Sequence, residues 1–119
     1  MLWVLAVGMM SSAHGQMLQG ASDLNLEQSW PQEPDGWTYP VAVSVPTGEV
    51  PAQGFPVGVL LHGNGGNGFQ MLNLGGNLLT DHILVAPTGY LNSWNLCGEN
   101  SEAPDIAMLS DLVAQLSVF

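Results

Sequence analysis

Apolar positions along this chain come in short runs, and their spacing changes from one run to the next. Leu2 to Met10 is almost unbroken apolar sequence, followed by the small residues of Ser11-Ser12-Ala13-His14-Gly15. Residues 16–36 are mostly polar, carry Pro31 and Pro34 and show no period, so they read as an extended lead-in. Thr38 to Pro46 alternates and is rich in β-branched and aromatic residues, the pattern of a strand with prolines at its ends. A turn over Thr47–Gly54 leads to Phe55–Leu61, a continuous apolar run expected of a strand buried on both faces. His62-Gly63-Asn64-Gly65-Gly66-Asn67-Gly68 is a glycine-dense loop. Phe69 to Thr80 predicts a helix, weakened by Gly75 and Gly76 by roughly 1 kcal/mol each. Ile83-Leu84-Val85-Ala86 predicts a second buried strand stopped by Pro87, and Thr88–Ala103 a long loop. The clearest helix follows: Pro104 suits its first turn, Asp105 its positive end, and Ile106, Leu109, Val113 and Leu116 fall on one face.

Buried strands alternating with helices predict an α/β sheet covered on both sides. The expected order is an N-terminal β-hairpin made of the strands at 38–46 and 55–61, then β-loop-α-β-loop-α. Two central strands with an uncovered edge bury little apolar surface, so the sequence reads as the front of a larger domain, residues 37–119 being its N-terminal part. The isolated chain is expected to aggregate through that edge.

Charge narrows the chemistry. Lys+Arg is 0 against Asp+Glu 10, a formal net charge of −10 in 119 residues. Without a cation the chain cannot displace counterions from phosphates, so no nucleic-acid partner is expected. A P-loop lysine, a Schiff-base amine and an arginine fork are equally absent. The single cysteine, Cys97, has no internal disulfide partner, and no Cys/His spacing resembles a zinc site, so neither metal nor cofactor is expected. Residues 1–15 read as a secretory signal, cleaved before Gln16 and too short to span a bilayer, which implies a secreted or periplasmic protein. Its n-region lacks a positive charge; the alternatives are a start upstream of Met1 or a buried N-terminal segment.

The glycine loop supports two chemistries. Gly63 to Gly68 matches G-x-G-x-x-G between a strand and a helix, the context of a dinucleotide-binding turn. The acidic residue that would hold a ribose is missing, because the next strand ends in Ala86-Pro87-Thr88, and an extra strand precedes the loop. The other chemistry begins at His62-Gly63, where an apolar strand ending in small residues can present backbone N–H groups to an oxyanion. That needs no charged side chain.

At this point the chain resembles the α/β-hydrolase esterases of the polyhydroxybutyrate depolymerase, feruloyl esterase and acetylxylan esterase group. The resemblance rests on Val59-Leu60-Leu61-His62-Gly63-Asn64-Gly65-Gly66-Asn67-Gly68, Ile83 to Gly89, Ser93-Trp94-Asn95, and the helix from Pro104-Asp105-Ile106-Ala107-Met108-Leu109 to Leu116, in the family's order. It covers the front half of that domain and implies a serine hydrolase acting on an ester, either a polyester or a plant polysaccharide ester. It further implies that the backbone at Gly63, Asn64 and Gly65 forms one wall of an oxyanion hole. His62, Trp94 and Asn95 would stand near the pocket, and Asp105 would be structural.

The nucleophile elbow G-x-S-x-G is absent, and Ser93, Ser101 and Ser110 lack its strand-to-helix context, so this chain alone is expected to be inactive. His62 is expected to hydrogen-bond at the base of the loop and His82 to lie on the surface. Glu99, Glu102 and Asp105 are expected on a solvated face, and Cys97 is either a free thiol or paired beyond Phe119. A different class of function, a carbohydrate-binding module, would use Trp30, Trp37 and Trp94 as stacking platforms.

Overall fold

The structure, a computed structural model, describes residues 3–4, 23–95 and 101–117. Most of the segment read as a secretory signal, together with Cys97 and Glu99, lies outside the described residues. The described residues have mixed α/β architecture with two sheets and two helices. In chain order the elements are β1 (Trp3–Val4), β2 (Glu27–Trp30), β3 (Glu33–Thr38), β4 (Val41–Ser44), β5 (Val57–Val59), α1 (Gly68–Gly75), β6 (Ile83–Pro87) and α2 (Asp105–Leu116), with a short 3-10 turn at Tyr90–Asn92. No helix among the described residues is long and apolar enough to cross a membrane.

The main sheet has the order β1-β5-β6-β4. β6 is its centre, with all five residues buried, running parallel to β5 and antiparallel to β4. This corrects one expectation: β4 and β5 do not form a hairpin with each other, because β6 lies between them. The connection 45–56 is longer than a tight hairpin loop, and β6 has apolar side chains to bury on both sides. Among the described residues a hairpin lies earlier. β2 and β3 pair antiparallel, from Glu27 opposite Thr38 to Trp30 opposite Glu33, with a register shift between Gln28 and Trp30. Pro31 and Gln32 make the turn between them, in a stretch whose exposed polar residues hide any alternation.

Alternate residues of β6 serve opposite faces. Ile83 and Val85 join Val41, Val57, Leu24, Leu26, Tyr39 and Phe55 beneath Met108, Leu112 and Leu116 of α2. On the other face α1 lies close against the sheet because two glycines, two turns apart, form its inner side. A Cβ at Gly68 would stand 1.9 Å from the Ala86 carbonyl oxygen, and one at Gly75 2.5 Å from Leu60 Cδ1. Asn67 caps α1 through Oδ1, which accepts from the Gln70 N–H at 2.9 Å. The helix ends at the Gly75-Gly76 pair, short of the expected Thr80.

The face of α2 also differs from expectation. Its buried residues are Asp105, Met108, Leu112 and Leu116, whereas Ile106 is 81% exposed and Leu109 and Val113 are half-buried. Both stripes have i, i+3/i+4 spacing and share Leu116, so periodicity alone does not choose between them. The rotation is settled by Tyr39, whose hydroxyl donates to Asp105 Oδ1 at 2.9 Å.

Candidate functional site

The loops that follow parallel strands β5 and β6 emerge at the same edge of the sheet, the carboxyl edge where open α/β sheets bind ligands. Among the described residues, four hydrogen bonds join the two loops and a fifth joins the second loop to Gly68 at the start of α1. Gly89 N–H donates to His62 Nε2 at 3.0 Å, and Trp94 Nε1 donates to the His62 carbonyl at 2.7 Å. Gly65 N–H donates to the Asn92 carbonyl at 2.8 Å, Asn92 Nδ2 donates to the Gly66 carbonyl at 2.9 Å, and Gly68 N–H donates to Thr88 Oγ1 at 2.9 Å.

His62 is buried and works as a staple. A backbone N–H can only donate and a carbonyl can only accept, so Nε2 is the acceptor from Gly89 while Nδ1 carries the proton given to the Gly63 carbonyl at 2.6 Å. Its ring lies 4.8 Å from that of Trp94, tilted by 32°. With both nitrogens committed to backbone, His62 is not placed to act as a base on a substrate. Its position at the base of the loop is the one expected from sequence.

Gly63, Asn64 and Gly65 are all exposed at the tip. Gly65, at φ +82°, spends its N–H on Asn92, whereas the Gly63 and Asn64 N–H groups meet no acceptor among the described residues. Of the three, Gly63 and Asn64 are therefore the donors open to a ligand. At the start of α1, Gly68 and Gln70 give their N–H groups to Thr88 and Asn67, which takes two of the donors a pyrophosphate would use.

Trp94 and Asn95 line a cleft of about 230 Å³ with Leu61, Asp105, Ile106 and Leu109. Asp105 is not on a solvated face: its side chain is buried, and it accepts from Tyr39 and from the Asn95 N–H, while Asn95 Nδ2 donates to the Ala103 carbonyl at 3.1 Å. Burial, and then the hydrogen bond and charge of Asp105, hold the Tyr39 phenol well above its ordinary range. His82 also departs from the surface position expected of it, since its side chain is only 10% exposed and lies 2.8 Å from Asp81 Oδ1. Glu102 is exposed as expected.

Trp30 and Trp37 spend their ring contacts on Tyr90. Trp30 is buried edge-on against Tyr90 at 4.9 Å, and Trp37 packs on Tyr90 in the same way at 5.2 Å. The Tyr90 hydroxyl donates to Glu33 Oε1, fastening the β2–β3 hairpin to the loop after β6. Sequence reasoning missed Asn92. Its one local signal is that asparagine tolerates the left-handed backbone it adopts at φ 61°, beside Leu91 at φ 54°.

Compared with protein-family models, curated proteins and solved structures, the chain matches none.

Proposed function

We propose that this chain is the N-terminal part of a secreted or periplasmic serine ester hydrolase, similar to the polyhydroxybutyrate depolymerase, feruloyl esterase and acetylxylan esterase group, and that it supplies one wall of the oxyanion hole. The observation that carries this reading is the tied pair of loops at the carboxyl ends of β5 and β6, with the Gly63 and Asn64 N–H groups exposed at the tip of the first. Such donors stabilise charge developing on a carbonyl oxygen without any cationic side chain. The Trp94-Asn95 cleft, which Leu61 at the end of the strand leading into the glycine loop also lines, would receive the acyl or alcohol part of the ester. The serine, its histidine base and the orienting acid would come from sequence beyond this chain. Attack on the ester would then give an acyl-enzyme released to water.

Reading the gene on either side of this sequence tests the proposal. An apolar strand ending in G-x-S-x-G encoded downstream of Phe119 supports it, and a stop codon with no such elbow overturns it. In the longer protein, Asn64→Pro removes one N–H and is expected to lower kcat about 100-fold with little change in KM. The 119-residue chain by itself is expected to release no p-nitrophenol burst from p-nitrophenyl acetate.

A further inference from the structure

Two Asn-Gly bonds flank Gly66, and the structure treats them differently. At Asn67-Gly68 both reacting groups are tied down: Asn67 Oδ1 caps the Gln70 N–H, and the buried Gly68 gives its N–H to Thr88. At Asn64-Gly65 the asparagine side chain is exposed and has no hydrogen-bond partner among the described residues. Gly65 has open space where a Cβ would stand, and its N–H is restrained only by the Asn92 carbonyl at 2.8 Å. We infer that Asn64 is a self-modification site, an asparagine that deamidates through its own backbone at a rate governed by the Asn92 clamp.

The chemistry needs only water. The Gly65 nitrogen, its proton lost to hydroxide, attacks Asn64 Cγ; the bond from Cγ to the side-chain nitrogen breaks and ammonia leaves, closing a succinimide ring. Water opens the ring at either carbonyl and leaves an aspartyl or isoaspartyl residue at position 64. While Gly65 N–H is held by Asn92, the nitrogen is turned to that carbonyl and is not free to approach Cγ. Asn92 is itself held by its Nδ2 bond to Gly66 and by its left-handed backbone. A carboxylate at position 64 would stand beside the two N–H groups assigned to the oxyanion and repel negative charge. That consequence rests on the esterase reading; the deamidation does not.

The experiment incubates the full chain, folded and urea-unfolded, in mildly alkaline heavy-oxygen water, and maps label incorporation by peptide mass spectrometry. In the folded chain label is expected at position 64 with Asn67 spared, whereas the unfolded chain should label both. Asn92→Gly keeps the left-handed backbone but loses the bond to Gly66, and is expected to speed conversion at Asn64 about fivefold, roughly 1 kcal/mol. A folded chain that labels both positions at the unfolded ratio overturns the proposal. So does an Asn92→Gly chain, folded by circular dichroism, that converts Asn64 no faster than its parent. Esterase activity is not read, so failure here leaves the functional reading to its own test.

Discussion

The Tyr39 hydroxyl donates to Asp105 Oδ1 at 2.9 Å, and through that bond the residue after β3 sets the rotation of α2. In a chain with no lysine or arginine, a buried carboxylate has neither of those cations to pair with. Asp105 is satisfied instead by a phenol, by the Asn95 N–H and by its place in the first turn of a helix. Tyr39→Phe removes the first of these supports, leaves the other two, and should cost about 1–3 kcal/mol in urea unfolding.

The same contact predicts alkaline behaviour. The Tyr39 pKa is raised in the folded state, so its contribution to stability is fully present below the ordinary value of 10.0 and is lost as pH climbs from there towards the folded value. Tyr90 is raised too, chiefly by its hydrogen bond to Glu33. Following tyrosinate absorbance, neither of the two tyrosines should ionise at its ordinary pH while the chain is folded. Tyr39→Phe should leave the Tyr90 titration alone and flatten the alkaline fall in stability. Ionisation of Tyr39 at its ordinary pH in the folded chain would remove the basis for this prediction.

His62 is expected in a single tautomer. The Gly89 N–H and the Gly63 carbonyl require a proton on Nδ1 and a lone pair on Nε2. Nitrogen-15 shifts of the ring should report that form alone. His62→Ala, which strands the Gly89 N–H, should cost about 1–3 kcal/mol. An Nε2-protonated ring would mean that the staple between the two loops is not formed.

Substituting glycines separates close approach from loop freedom. At Gly68 and Gly89 an added Cβ meets backbone oxygen at 1.9 Å and 2.0 Å, so Gly68→Ala and Gly89→Ala should lose more than the roughly 1 kcal/mol that alanine gains in a helix. Gly75→Ala meets Leu60 Cδ1 at 2.5 Å, with Leu84 Cδ1 at 3.6 Å, and should cost less than Gly68→Ala because the end of a leucine side chain can turn away where a backbone carbonyl cannot. Gly63→Ala meets nothing within 4 Å and should be silent in thermal unfolding. Equal losses at all four positions would contradict the packing of α1 on the sheet.

How much of this could be read from sequence depends on the range of the interaction concerned. Ile83-Leu84-Val85-Ala86 is legible as a buried strand because the apolar run is continuous and Pro87 closes it. The β2–β3 hairpin is not, because Glu27, Ser29, Pro34 and Asp35 are exposed and Pro31 and Pro34 read as breakers. The neighbours of β6 depend on a crossover that local pattern does not carry. At the site, the glycine loop is legible from residue types alone. The Asn92 clamp joins positions 26 residues apart, and the Tyr39–Asp105 bond joins positions 66 apart, so neither leaves a mark in spacing.

The two apolar stripes of α2 provide the sharpest contrast. Met108 is fully buried against the sheet, so Met108→Ala should cost about 2–5 kcal/mol through lost contacts and a cavity. Ile106 lies two residues away and is 81% exposed, so Ile106→Glu should change stability by less than about 0.5 kcal/mol. Because Ile106, Leu109, Ser110 and Val113 line one open groove, the same substitution should reduce any self-association of the chain, read by light scattering. The face predicted from periodicity alone, with Ile106 inward, requires the opposite order of stabilities. Urea unfolding of these two variants therefore decides between the stripes.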